Sequence, residues 1–153
     1  MEKGVRQVLG GGVMAGYPVE DVRVIVTDGK HHSVDSKEIA FVIAGRKAFL
    51  DALAKAKPIV LEPLVNLEVT VPADKMGDVS GDLAARRARV SNTVHGADGK
   101  VTVAAQVPLA ELEDYAARLK SLTGGEGLWS IQFSHYEPAP PRVQDKLAHR
   151  PPR

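Results

Sequence analysis

Cysteine is absent from the 153 residues of the chain. Its absence excludes a disulfide framework, thiolate zinc sites and cysteine nucleophiles, and it suits a reducing compartment. No apolar run approaches the roughly 20 residues that a membrane-spanning helix needs. The first residues also lack the apolar core of a signal peptide. We therefore expect a soluble, cytoplasmic protein that is not secreted.

An excess of charge of either sign is also missing. Lysine and arginine number 20 against 19 aspartates and glutamates, which gives a formal net charge of +1. This balance argues against a protein that coats nucleic acid by bulk charge, although it leaves room for a local basic patch. Hydrophobic residues make up 44% of the chain and charged residues 25%, so we expect one ordinary folded domain or two small ones.

The motifs of common active sites are missing as well. The chain has no Gly-x-Ser-x-Gly elbow and no Gly-x-x-x-x-Gly-Lys-Ser/Thr phosphate loop, and glycines 10–12 do not follow a strand. His31 and His32, with Asp35 nearby, are poor metal ligands because adjacent side chains of an extended loop point apart. We predict no catalytic residue, metal or cofactor in this chain. The histidine pair is interpreted as a loop tip, either simply polar or in contact with RNA or protein.

The first sixty residues show both helical and extended patterns. Apolar spacing predicts a helix over residues 2–9, which glycines 10–12 would end. A strand is predicted over residues 18–28, because three valines alternate there with other residues (Val22, Val24, Val26). A polar loop follows, and Ser36 is a candidate cap for a helix over residues 37–57. Its predicted buried side consists of Ile39, Val42, Ile43, Leu50 and Leu53.

The rest of the chain predicts an α+β fold with a four-stranded antiparallel sheet. Apolar periodicity gives the order strand, helix, strand, strand, helix, strand, over residues 64–71, 74–89, 90–95, 100–107, 109–122 and 128–136. This βαββαβ order is the ferredoxin-like unit, with both helices on one face of the sheet. A proline-rich linker and a short helix over residues 142–148 end the chain.

A run of basic residues closes the first helix of this unit, at Arg86, Arg87 and Arg89. Cations near the C-terminal end of a helix complement its macrodipole, which is sufficient reason for them. Three guanidinium groups within one turn are equally suited to backbone phosphates. The sequence leaves both interpretations open.

Several segments resemble the C-terminal part of translation elongation factor G, in collinear order over nearly the whole chain. Residues 15–28 resemble the segment before the tip of its domain IV, and residues 28–36 resemble the tip loop itself. Leu61-Glu-Pro-Leu resembles the junction into domain V. The remaining matching segments are residues 39–41, 76–90, 107–112, 133–136 and 143–147.

The resemblance implies three parts of the chain. Residues 1–62 would be the C-terminal part of domain IV, a partial β-α sandwich. Residues 63–138 would be the ferredoxin-like domain V, and residues 139–153 a proline-rich linker and a helix that packs back on domain IV. Because strands of domain IV are missing, we expect this part to be less stable than domain V, or to hide its free sheet edge in an edge-strand dimer or a swapped contact.

The resemblance also implies a ribosomal role. In the family, domain IV reaches the decoding region, where it helps to move transfer RNA and messenger RNA, and domain V lies against ribosomal RNA. The implied tip loop consists of Asp28, Gly29, Lys30, His31, His32, Ser33, Val34, Asp35 and Ser36, with His32 at the position of the family's tip histidine. Arg86, Arg87 and Arg89 are the implied ribosomal RNA contacts. GTP and Mg²⁺ are expected only in an intact parent, since this chain lacks the GTPase domain.

Some positions depart from the family pattern. Gly124 stands where the family usually has glutamine and Glu126 where it has arginine, and Lys30-His31 replaces a small residue and an aromatic. The sequence therefore indicates a divergent elongation factor G-like paralogue. Two alternatives stay open: a free-standing RNA-binding module that uses the arginine run, and a ferredoxin-like small-ligand or regulatory domain without a translocase role.

Overall fold

The computed structural model describes residues 1–12, 14–31 and 37–148. The chain forms two units, one of Met1–Val60 with the residues from Ala139 onward and one of Leu61–Pro138. The helices are α1 Glu2–Gly11, α2 Glu38–Lys55, α3 Met76–Ala85, α4 Tyr115–Thr123 and α5 Pro141–Ala148. The strands are β1 Leu61–Pro72, β2 Arg89–His95, β3 Lys100–Pro108 and β4 Leu128–Pro138, and two 3₁₀ turns cover Ala73–Lys75 and Leu109–Leu112.

Helix α1 confirms the predicted helix near the start of the chain and crosses α2 at two glycines. A Cβ added to Gly4 would run into the carbonyl oxygen of Val42 and would lie 2.9 Å from the amide nitrogen of Arg46. A Cβ added to Gly45 would lie 2.6 Å from the carbonyl oxygen of Met1. The two helices approach this closely because neither glycine has a side chain. Beside the crossing, the buried cluster of this unit consists of Val8, Phe49 and Leu53.

Helix α2 confirms the second predicted helix, although two expected core residues face outward. Its N-cap position is Lys37, which makes no side-chain capping bond, and Ser36 lies outside the described residues. Ile39 and Ile43 are exposed, so the predicted buried side was wrong at these positions. The physical reason is that α2 carries apolar residues on more than one side, whereas α1 packs along the side that contains Gly45 and buried residues such as Val42, Phe49 and Leu53.

Residues 18–28 form no strand, and this prediction was wrong. The backbone amide of Val19 donates a hydrogen bond to the carbonyl oxygen of Leu9 at 2.8 Å, but the segment joins no ladder with any described residue. Val24, Ile25 and Val26 are exposed. Alternating valines favour strand pairing, yet a strand forms only where a neighbouring strand offers its backbone groups.

The sheet of Leu61–Pro138 confirms the predicted βαββαβ order and the α+β fold class. Its strands lie in the order β2-β3-β1-β4, and every neighbouring pair is antiparallel. At the ends of the central pair, Leu64 lies opposite Pro108 and Pro72 lies opposite Lys100. This strand order, with two helices in the connections, is that of a ferredoxin-like unit.

One face of this sheet packs against α3 and α4 and forms the main core. Alternate residues of β1 and β3 point to that face, because side chains alternate sides along a strand. The buried cluster contains Val65, Leu67, Val69 and Val71 from β1, Val101, Val103 and Val107 from β3, and Val79, Leu83, Leu112, Tyr115 and Leu119 from the helical segments.

Both helical segments of this unit begin with a 3₁₀ turn, and the first ends earlier than predicted, at Ala85 instead of residue 89. The first α-helix ends at Ala85 because Arg87 adopts a left-handed backbone conformation with a φ of 60°. The amide of Ala88 then donates to the carbonyl oxygen of Leu83 at 3.0 Å. Helix α4 ends at Thr123, and the φ of 64° at its C-cap residue Gly124 is also left-handed and favours glycine. The departure of Gly124 from the family's glutamine therefore has a structural reason.

Helix α5 confirms the short terminal helix. The Gln144 side chain accepts a hydrogen bond from the amide of Val60 at 3.3 Å and donates one to the carbonyl oxygen of Ala139 at 2.9 Å. The amide of Ala139 also donates to the carbonyl oxygen of Val60 at 3.0 Å. These bonds tie the start of α5 to Val60. That α5 packs on the helices of the first sixty residues stays a prediction.

Tyr115 is a buried side chain with an unsatisfied hydroxyl group. Only 1% of the residue is exposed, and its hydroxyl oxygen has no hydrogen-bond partner among the described residues. The Trp129 ring packs edge-on against the Tyr115 ring, with 5.4 Å between the two ring centres. The Arg86 guanidinium carbon lies 5.2 Å from the centre of the Tyr115 ring. Burial, with a smaller contribution from the nearby Asp82 carboxylate, raises the pKa of Tyr115 to about 12.

The glycine crossing predicts a position-dependent response to alanine. Gly4→Ala forces α1 away from α2 and should lower the free energy of unfolding of this unit by about 2 kcal/mol. Hydrogen exchange resolved by segment should then show faster exchange in Glu2–Gly11 and Glu38–Lys55 and unchanged exchange in the sheet. Gly81→Ala is the matched control, because Gly81 also lies in a helix and an added Cβ there meets nothing within 4 Å. Equal effects of the two substitutions would contradict the close crossing.

The buried hydroxyl predicts a loss of stability at alkaline pH. The pKa of the Tyr115 phenol is 10.0 when unperturbed and about 12 in the fold, so only the unfolded chain loses this proton just above pH 10. The free energy of unfolding should therefore fall between pH 10 and 12, by on the order of 2 kcal/mol. Tyr115→Phe should remove this fall and add about 1 kcal/mol at pH 7, because no unpaired hydroxyl is then buried. Denaturation followed by Trp129 fluorescence measures the free energy of unfolding of both proteins across this pH range. Parallel pH profiles of that free energy would refute the prediction.

Candidate nucleic-acid interface

The predicted tip loop is described only in its first half. Asp28, Gly29, Lys30 and His31 are exposed, and the Asp28 carboxylate accepts a hydrogen bond from the amide of Gly29 at 2.7 Å. The other predicted loop residues, His32, Ser33, Val34, Asp35 and Ser36, lie outside the described residues. The described half thus offers an ammonium group and an imidazole to solvent.

Arg86 lies within its own unit rather than on its surface. Its guanidinium group donates to the Asp82 and Asp114 carboxylates, each at 2.7 Å, and to the carbonyl oxygen of Glu111. Only 12% of its side chain is exposed. The hydrogen bond with Asp114, strengthened by that with Asp82, raises the pKa of Arg86 above its ordinary range, and Arg86 in turn lowers the pKa of Asp114. Arg86 therefore joins α3 to the start of α4.

Arg87 makes a forked ion pair with a buried carboxylate. Its two terminal nitrogens donate to the two carboxylate oxygens of Glu62 at 2.8 and 2.9 Å, and its Nε donates to Glu111 at 3.0 Å. Glu62 is 8% exposed, so Arg87 neutralises a charge that water barely reaches. The hydrogen bond with Glu62 raises the pKa of Arg87 above its ordinary range. The pair links the end of α3 to the start of β1.

Arg89 is the most accessible arginine of the run. Its side chain is 57% exposed, and one terminal nitrogen donates to the Glu137 carboxylate at 2.9 Å. The same carboxylate oxygen lies 2.8 Å from Nε2 of His135. The hydrogen bond from Arg89, followed by that with His135, lowers the pKa of Glu137. Arg89 is thus held by one exposed partner, whereas each of the other two arginines bridges two acidic residues.

The sequence analysis missed all of these acidic partners, although one pair carries a local signal. Asp82 and Arg86 are four residues apart on one helix, a spacing at which side chains meet. Glu62, Glu111 and Glu137 lie 24 to 48 residues from the arginines they bind, and no local pattern signals these contacts. The described residues contain no group of three or more histidines, aspartates or glutamates placed to hold a metal ion. No helix in the described part of the chain is long and apolar enough to cross a membrane.

The Arg87–Glu62 pair predicts a large loss of stability when one partner is removed. Arg87→Ala leaves Glu62 buried without its cation and should lower the free energy of unfolding by about 2 kcal/mol, less than for a fully buried pair because Arg87 is 31% exposed. Arg87→Gly should cost about 1 kcal/mol less than Arg87→Ala, since glycine relieves the left-handed backbone. Chemical denaturation followed by Trp129 fluorescence measures both variants.

The double variant Arg87→Met with Glu62→Met is the control for this prediction. Replacing both charges together leaves no unpaired carboxylate, so its stability should lie nearer that of the unchanged protein than that of Arg87→Ala. Equal stability of Arg87→Ala and the unchanged protein would show that the pair contributes little.

Three curated proteins similar to this chain are named elongation factor G or elongation factor G-like protein. An "Elongation factor G-like protein" from Thermotoga maritima is 45% identical over 147 residues, 96% of this chain and 22% of the relative. "Elongation factor G" from Aquifex pyrophilus is 47% identical over 150 residues, 96% of this chain and 21% of the relative. "Elongation factor G" from Petrotoga mobilis is 48% identical over 152 residues, 98% of this chain and 22% of the relative. The chain thus spans about a fifth of the length of these relatives.

Structure and family comparisons agree with these relatives. A crystal structure of a protein from Thermus thermophilus matches 96% of this chain and 22% of that one, with a TM-score of 0.81 and 40% sequence identity. The family model "Elongation factor G, domain IV" matches residues 1–57, and "Elongation factor G C-terminus" matches residues 59–147. The expected resemblance is thereby confirmed, and the chain belongs to the elongation factor G family of translation elongation factors, of which it represents the C-terminal part.

Proposed function

We propose that this chain is the ribosome-binding C-terminal part of an elongation factor G-like translational GTPase. In the intact protein it would take part in the GTP-dependent translocation of transfer RNA and messenger RNA. The observation that carries the proposal is the collinear match of two adjacent elongation factor G models to residues 1–57 and 59–147. The 45% to 48% identity to proteins of that name supports it.

Each unit would contribute one contact. Residues 28–36 would be the tip that faces transfer RNA near the decoding site, and the exposed Lys30 and His31 supply hydrogen-bond donors for phosphate or ribose. Arg86, Arg87 and Arg89 would face ribosomal RNA. Among them Arg89 is the primary candidate, because the other two would have to exchange carboxylate partners for phosphates.

The chain itself would not be an enzyme. It has no phosphate-binding loop, so GTP and Mg²⁺ would be held by another part of the intact parent, which would act in the cytoplasm, where ribosomes are. Glu126 replaces an arginine of the family pattern, and it is exposed next to the end of α4. This reversed charge supports a divergent paralogue rather than the housekeeping factor.

The test is co-sedimentation of the chain with ribosomes across a salt series. Arg89→Ala should weaken binding and reduce the slope of log affinity against log salt concentration by about 1, as expected for the loss of one phosphate contact. Arg118→Ala is the matched control, because Arg118 is 51% exposed and also pairs with a carboxylate, that of Asp82. It should leave binding unchanged.

Naked RNA of similar length separates this proposal from its alternative. Saturable binding to ribosomes with little binding to free RNA supports a ribosome-facing fragment. Equal affinity for both would instead favour a free-standing RNA-binding or regulatory ferredoxin-like module. No binding to ribosomes at low salt would contradict ribosome binding by this chain.

A further inference from the structure

Strand β4 forms a free edge of the four-stranded sheet. It is the last strand in the order β2-β3-β1-β4, and among the described residues it pairs only with β1. The backbone amide and carbonyl groups on its other side therefore have no ladder partner in the described part of the chain. With 11 residues it is longer than β2, the other edge strand, which has 7.

The helix-side face of β4 carries large apolar side chains that the helices cover only in part. Trp129, Ile131 and Phe133 lie opposite Val69, Leu67 and Val65, which are buried in the main core. Residues directly opposite in a ladder share a face of the sheet. Yet Trp129 is 37%, Ile131 42% and Phe133 56% exposed. We call these three side chains the β4 strip.

Natural edge strands usually carry features that prevent pairing, and β4 has few of them. Residues 127–134 contain no charged residue and no proline, whereas charges, prolines and bulges protect typical edges. Its bulge lies opposite the step from Leu64 to Val65 and leaves residues 128–133 in regular register. Strand β2, by contrast, begins with Arg89 and is interrupted between Val90 and Asn92.

We propose that β4 pairs antiparallel with β4 of a second copy of this chain, about a two-fold axis at Ile131. This register brings Trp129 opposite Phe133 of the partner subunit and Ile131 opposite Ile131 of the partner subunit. On the other face, Ser130 meets Gln132 of the partner subunit, so polar groups pair with polar groups. No like charges meet, since residues 127–134 carry none. The strip is therefore self-complementary, and the sheet would continue across the axis.

The area involved implies a weak dimer. Aromatic side chains bury about 200 Å² each when fully covered. At 37% and 56% exposure, the Trp129 and Phe133 side chains of two copies offer on the order of 400 Å². Two isoleucines and the strand backbones add to this, but the total stays below the roughly 1,200 Å² at which stable interfaces begin. We therefore expect a weak dimer, populated at micromolar or higher rather than nanomolar concentrations.

Sedimentation equilibrium of the full chain over a concentration series tests the proposal. The apparent mass should rise from 16.4 kDa toward twice that value. Ile131→Lys places two like charges at the axis and should hold the protein at the monomer mass, and so should Ile131→Glu. An equal mixture of these two variants should dimerise again, because opposite charges then meet. Val94→Lys on β2 is the matched control, at a side chain that is 54% exposed, and it should dimerise like the unchanged protein.

Single cysteines test the register without disturbing the strip's charge. The chain contains no cysteine, so under mild oxidation Ile131→Cys should form a disulfide-linked dimer through one bond. Trp129→Cys alone should not cross-link, but a mixture of Trp129→Cys and Phe133→Cys should. A monomer at every concentration, or loss of dimer by Val94→Lys but not by Ile131→Lys, would overturn the proposal. Circular dichroism checks that each variant is folded.

Discussion

The buried carboxylate of Glu62 is the constraint on which much of the second unit depends. A carboxylate that is only 8% exposed needs a cation with matching geometry, and the forked guanidinium of Arg87 supplies it. Arg87 also has the left-handed backbone conformation that ends α3. The chain then turns directly into β2, which begins at Arg89. The ion pair, the end of the helix and the position of the exposed arginine are thus parts of one arrangement.

The same arrangement divides the basic run into residues with different roles. Arg86 bridges α3 and the start of α4 and lies over the Tyr115 ring, so its charge holds the core elements together. Arg87 does the same for β1 and the segment around Glu111. Only Arg89 keeps more than half of its side chain in solvent. A run that looks uniform in sequence therefore offers one accessible charge rather than three.

The two units differ in how their apolar residues are used. In Leu61–Pro138, valines of β1 and β3 alternate and their inward side chains join the helices in one core, so periodicity and packing agree. In the first sixty residues, the apolar residues of the segment 22–26 and of the outer side of α2 remain exposed, whereas Val19 packs on the buried cluster. Their patterns predict burial, but the described residues provide no surface to bury them. The free edge of β4 likewise leaves apolar side chains exposed, at Trp129, Ile131 and Phe133.

The prediction of elements from the sequence succeeded where the pattern was local. Alternation along residues 64–71 and 100–107 and the apolar spacing of 109–122 were enough for the ferredoxin-like order. Helices α3 and α4 each end next to a residue with a left-handed backbone, Arg87 and Gly124. A glycine signals such an end in the sequence, whereas an arginine does not. The strand over residues 18–28 could not be judged locally, because a strand exists only through its neighbour.

The sequence by itself determined the family, the positions of the candidate residues and the order of the elements in Leu61–Pro138, since these depend on periodicity and on motifs within short stretches. Only the tertiary structure decided what the arginines do. Their partners Glu62, Glu111 and Glu137 come from elements 24 to 48 residues away, and side-chain exposure depends on how those elements pack. Electrostatic pairing acts through space rather than along the chain, and for that reason Arg87 and Arg89, two residues apart, differ in their accessibility to a ligand.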